Sequence, residues 1–131
     1  MNGSKVDLIL KELMERYPVL MPVKEDIFKT YEILRDAFLQ DGTLLIAGNG
    51  GSCADSEHIV GELMKGFVKR RPVTSAFEQK LKEAEPELGE ELAKRLQGAL
   101  PAIALTGHPA LSTAFLNDVD GSMGFAQQVY G

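Results

Sequence analysis

Apolar positions recur at helical spacing over the first forty residues. Leu8, Ile9, Leu13 and Tyr17 fall along one face, with Ser4 placed to cap the helix, Asp7 three residues on, and Pro18 to end it. Ile27, Tyr31, Leu34 and Phe38 recur at i, i+4, i+7 and i+11, so a second helix is expected from near Pro22, closed by the turn Asp41-Gly42. The pattern then changes. Residues 43–47 (TLLIA) form a short apolar run bounded by turn residues, as in a parallel strand buried on both faces. A helix is expected over about 52–68, before Pro72. Residues 73–100 read as a helical insertion. Ser75 and Glu78 have capping-box spacing there, and Leu81, Leu88, Leu92 and Leu96 form a stripe broken near Pro86. A second buried strand is expected at 102–106 (AIALT), then helices over about 110–116 and 125–130.

Helices followed by two strand–helix steps indicate an α/β fold: N-terminal helices over 1–42, then a sheet domain over 43–131. Two parallel strands need neighbours and helices on both faces. The chain is therefore expected to be the first part of a longer domain, or to lean on partner chains. The stripes of the first two helices exceed what so small a chain buries easily, so they are expected to pack against symmetry mates.

Composition narrows the classes. Hydrophobic residues make up 44% and charged residues 25%, as in ordinary globular proteins. No apolar run has the length of a membrane span, and the N-terminus lacks the layout of a secretory signal. A single cysteine, Cys53, excludes an intramolecular disulfide and points to a reducing, cytoplasmic setting. A net charge of −5 argues against a broad nucleic-acid face, but an anionic substrate is compatible with it, because binding follows the local field.

The candidate chemistry lies after the first strand. Gly48, Gly50 and Gly51 let the chain turn tightly, and the following helix offers N–H groups and partial positive charge to an anion. Ser52 can cap that helix and reach a phosphate oxygen. Asp55, His58, Glu62 and Lys65 fall within one narrow stripe at about 100° per residue. His58 and Glu62, one turn apart, suit either shared metal ligation or general acid/base work, and the spacing serves both. Two ligands do not close a metal site, so others must come from elsewhere. Cys53 lies on another face, where a small packing role is expected. His108 follows the second strand and is a weaker site candidate. Lys69, Arg70 and Arg71 are expected to complement the helix dipole, and Lys65 is a candidate substrate contact.

Gly48-Asn49-Gly50-Gly51-Ser52 followed by Asp55, His58 and Glu62 resembles the signature of the phosphoheptose isomerases, GNGGS-x2-D-x2-H-x3-E. The AIALT run and Asn117-Asp118 match that family in order and context, and the insertion at about 73–100 departs from it. The resemblance implies an SIS domain, a flavodoxin-like doubly wound parallel sheet with N-terminal helices at the subunit interface of a cytoplasmic homotetramer. It implies that Asn49, Gly50 and Gly51 line a sugar-phosphate site with Ser52 near the phosphate, and that Asn117 and Asp118 touch substrate. His58 and Glu62 would be zinc ligands, with Glu62 also the acid/base. The implied reaction is the aldose–ketose isomerisation of sedoheptulose 7-phosphate through an enediol. The family's Ser/Thr-rich phosphate loop, and a later Gln and His of its zinc site, would follow residue 131. The 131-residue chain alone is thus expected to be inactive.

Two other classes compete: a non-catalytic SIS module that binds a protein partner, and a domain that senses a sugar phosphate. The His58/Glu62 pair favours the enzyme, since a pure binder needs no acid/base there.

Overall fold

The computed structural model describes residues 4–131, which divide into two compact units meeting at Gly42 and Thr43. In the first unit, α1 spans Lys5–Arg16. The expected cap is present as a reciprocal box: the Ser4 N–H donates to Asp7 Oδ2 at 2.8 Å, and the Asp7 N–H donates to Ser4 Oγ at 3.2 Å. A 3-10 turn, Pro18–Val23, then leads into α2, Lys24–Leu39, so the second helix starts two residues beyond Pro22. Its end is a Schellman turn. Asp41 takes the left-handed conformation at φ 56°, and the Gly42 N–H reaches back to the Ala37 carbonyl at 2.8 Å. Met14 is buried, whereas Leu8, Ile9, Tyr17 and Tyr31 are exposed.

The second unit is helix-rich around a small parallel sheet, an α/β arrangement. Strands β1 (Leu44–Ile46) and β2 (Ala102–Ala104) pair with Leu44 opposite Ala102 and Ile46 opposite Ala104. Helix α3, Gly51–Met64, packs against β2 and buries Ser56 to 2% exposure. The strands were expected to be buried on both faces. Only one face is covered: Leu45 and Ile103, side by side in the register, remain 41% and 47% exposed.

Helix α3 also stops short of the expected 68. Lys65 is extended at φ −134°, ψ 153°, and the Gly66 N–H donates to Gln97 Oε1 at 3.0 Å. A side chain at Gly66 would overlap the Lys69 backbone, so the chain turns too tightly there for a helix. Lys65 thereby leaves the stripe that continuous helical geometry would give it. The expected insertion is a helical hairpin, α4 (Ser75–Ala84) and α5 (Gly89–Arg95). Thr74, not Ser75, caps α4, its Oγ1 accepting the Phe77 N–H at 3.2 Å. Glu78 pairs forward with Lys82 at 2.7 Å instead of closing a capping box. The bases of the hairpin meet at a bridge between Pro72 and Gln97.

After β2 come α6 (Pro109–Phe115), a π-helical turn (Leu116–Asp120), a 3-10 turn (Gly121–Met123) and α7 (Gly124–Tyr130). Among the described residues, no helix is long and apolar enough to cross a membrane.

Candidate functional site

The glycine-rich turn is shaped by two constraints. A Cβ on Gly48 would overlap the Ser52 backbone, so this turn closes on itself. Gly50, the residue before α3, has φ 56° and ψ −123°, a conformation that side-chain-bearing residues rarely adopt. The reversal at Gly50 starts α3 at Gly51. Ser52 is therefore inside the first turn and does not cap the helix, contrary to expectation. The N–H groups of Ser52 and Cys53 donate back to the carbonyls of Asn49 and Gly50, both at 3.1 Å. Those two donors, expected to be open to an anion, are engaged in tight-turn bonds.

An open cavity of about 500 Å³ lies beyond the carboxyl ends of both strands, where ligands of open α/β sheets bind. Gly48, Asn49 and Gly50 form one side, with Cys53 from α3. Thr106 follows β2, Ser112 and Thr113 come from α6, and Ser122 and Phe125 from the C-terminal turns. No charged side chain among the described residues lines it. Its polarity comes from hydroxyls, one amide and the backbone.

Behind this lining stands Glu57. Its Oε1 accepts the Thr106 hydroxyl at 3.2 Å and makes a longer contact of 3.9 Å with Cys53 Sγ. One α3 carboxylate thus joins two residues of the cavity wall. Asp120 plays a similar part on the far side, accepting from the Ser122 N–H at 2.8 Å and the Ser122 hydroxyl at 2.7 Å. Those bonds, the hydroxyl's first, hold the Asp120 carboxyl below the ordinary carboxylate value.

The residues singled out from the sequence divide between inside and outside. Asn49 and Gly50 line the cavity, but Gly51 and Ser52 do not. His58 is about 160° around α3 from buried Ser56 and Glu62 about 120°; His58 and Asp55 are exposed and Glu62 half-buried. The stripe lies on the outer side of α3, away from the sheet. Asn117 and Asp118 sit in the π-helical turn, exposed and outside the lining. His108 precedes α6 and contributes its carbonyl to the Ser112 N–H at 2.9 Å, again outside the cavity.

His58 and Glu62 share a helix face with nitrogen and oxygen donors suited to zinc, but among the described residues no three His, Cys, Asp or Glu side chains gather to hold an ion. The residues missed from sequence are Thr106, Ser112, Thr113, Ser122 and Glu57. Thr106 carried a signal, as the last residue of the second strand run. Glu57 carried none, because its partner is 49 positions away.

The chain is similar to proteins named phosphoheptose isomerase. It is 31% identical over 126 residues to that of Thermodesulfovibrio yellowstonii, covering 90% of this chain and 50% of the relative. The Roseiflexus sp. protein is 28% identical over 126 residues, covering 96% and 47%. That of Nitratiruptor sp. is 32% identical over 127 residues, covering 94% and 54%. The chain therefore spans about half the length of the curated relatives it matches. No family model matches it. No solved structure matches it.

Proposed function

Given that the chain is a relative of the phosphoheptose isomerases, we propose that it carries part of a sugar-phosphate aldose–ketose isomerase. The observation behind this reading is the hydroxyl-lined cavity at the strand ends, walled on one side by the Gly48-Asn49-Gly50 turn. Such a cavity suits a small polyhydroxylated ligand. The substrate is sedoheptulose 7-phosphate, isomerised through an enediol.

Isomerisation needs a base that takes a proton from one sugar carbon and returns it to the neighbour. We assign that transfer to Glu62, which is half-buried one turn from His58 on the α3 face outside the cavity lining, so the reacting carbons have to extend past the cavity to reach it. Asn49 and Gly50 hold the sugar phosphate from the cavity wall; Gly51, with Ser52 near the phosphate, and Asn117 and Asp118 lie outside that lining and are assigned to the substrate by the family resemblance alone. His58 and Glu62 are the protein's share of a zinc site. Zinc, when bound, would polarise the sugar carbonyl. The uncovered Leu45 and Ile103 fit a larger, doubly wound SIS sheet. The exposed Leu8 and Ile9 support a homotetramer with the N-terminal helices at its interface. A cytoplasmic location, with neither nucleic acid nor membrane as partner, belongs to the same reading.

One observation favours a second reading, a non-catalytic module that binds a protein partner: His58 and Asp55 are exposed and outside the cavity lining. The test is turnover of sedoheptulose 7-phosphate by the intact protein and its Glu62→Gln variant, with zinc supplied. The isomerase reading expects activity in the first and its loss in the second, with sugar-phosphate binding kept. Equal rates remove Glu62 from the mechanism. No turnover by either favours the module.

A further inference from the structure

Of the four Ser and Thr hydroxyls of the cavity wall, three are not free to choose their role, and the fourth, Ser112, makes no such bond among the described residues. A Ser or Thr hydroxyl has one proton to donate and two lone pairs that accept. Thr106 Oγ1 lies 3.2 Å from Glu57 Oε1. Thr113 Oγ1 lies 2.7 Å from the Pro109 carbonyl. Ser122 Oγ lies 2.7 Å from Asp120 Oδ1. Each partner is a carbonyl or carboxylate oxygen, so each hydroxyl must be the donor. Three cavity-lining hydroxyls have therefore committed their protons to the protein, and only their lone pairs remain for a ligand. The opposite side, at the glycine turn, includes Asn49, whose amide has two protons to donate as well as an oxygen that accepts.

We propose that the cavity is polarised, with an acceptor wall of Thr106, Thr113 and Ser122 that selects sugar hydroxyls, and with Glu57 as the positioning residue that fixes Thr106 as an acceptor. The proposal rests on the sugar-phosphate reading and adds an orientation to it. The ionised oxygens of a sugar phosphate accept hydrogen bonds and have none to donate. They are repelled by lone pairs on the acceptor wall and by the carboxylates of Glu57 and Asp120 behind it. The polyol end of the ligand faces Thr106, and the phosphate lies toward Asn49. Of the bonds that make this wall, Glu57–Thr106 alone joins α3 to the end of β2, so it depends on the packing of the unit and not on a local turn.

The experiment is calorimetric titration of the intact protein with two separate probes, sedoheptulose 7-phosphate and inorganic phosphate. Thr106→Val keeps the shape and removes the acceptor. It should weaken sugar-phosphate binding about tenfold, the worth of one good hydrogen bond, and leave inorganic phosphate unchanged. Thr106→Ser should restore the wild-type value. Glu57→Gln supplies an amide that can donate to Thr106 Oγ1 and release the hydroxyl proton toward the cavity. It should weaken sugar-phosphate binding and strengthen inorganic phosphate binding, which a merely structural role would not do. If Thr106→Val and Glu57→Gln leave sugar-phosphate binding unchanged, or weaken both probes alike, the polarised wall is wrong while the sugar-phosphate reading stands. If the intact wild-type protein binds no sugar phosphate, the reading and the inference fall together.

Discussion

Arg71 Nη2 donates to the carbonyl oxygen of Leu63 across 2.5 Å, in the last turn of α3. The carbonyls of that turn lack partners within the helix and carry its partial negative charge. The same guanidinium donates from Nε to the Gly98 carbonyl at 2.8 Å, and the Gly98 N–H returns a bond to the Arg71 carbonyl at 2.7 Å. One side chain thus ends α3 and ties together the two strands of chain at the base of the helical hairpin.

Arg71→Met should therefore destabilise the second unit, by about 1.5–3 kcal/mol for a partly buried charged donor whose acceptors lose their partner. Urea unfolding followed by circular dichroism measures it. Arg71→Lys should recover little, because one ammonium cannot reproduce the planar fork that spans two carbonyls. An unchanged midpoint for Arg71→Met would mean that water replaces both bonds without cost.

Gly50 and Gly51 are neighbours with opposite requirements. At Gly50 a Cβ would meet no atom, but φ 56° with ψ −123° is strained for any other residue. Gly50→Ala should cost about 1–3 kcal/mol. Gly51 begins α3 without a positive φ and with open space where its Cβ would be. Gly51→Ala should be neutral or stabilise by up to about 1 kcal/mol, through the unfolded chain. Thermal melts of the two variants should move in opposite directions or by clearly different amounts; equal losses would contradict the assignment of strain to Gly50.

Asp120 supplies a pH dependence. Its folded-state pKa is depressed by the Ser122 hydroxyl and then by the Ser122 N–H. A depressed carboxyl stabilises the fold fully above its unfolded value of about 3.9. That contribution is lost as pH falls through the lower, folded value. A carbon-13 NMR titration of the Asp120 carboxyl should show a midpoint below the ordinary one, and Ser122→Ala should raise it. A midpoint indifferent to Ser122→Ala would show that the hydroxyl bond does not persist in solution.

The local elements could be read from local rules. Ser4 and Asp7 mark the start of α1 because a capping box needs only residues three apart. The glycine-rich turn between TLLIA and α3, and the hairpin broken near Pro86, follow from backbone freedom and periodicity. Boundaries failed where a distant residue intervened. Gln97 takes the Gly66 N–H and Arg71 takes the Leu63 carbonyl, so α3 ends earlier than its composition requires.

For the site, periodicity placed Asp55, His58 and Glu62 on one face of α3, as an amphipathic pattern can. It could not say which way that face turns, because orientation depends on which residues the sheet buries. Packing chose Ser56 for the sheet side, which left His58 outside and brought Glu57 to Thr106. Hydrogen bonds between residues 49 positions apart leave no periodic trace in a chain. They exist only once the strands and helix are assembled, and here that assembly decides which hydroxyls donate, which accept, and where a ligand can meet them.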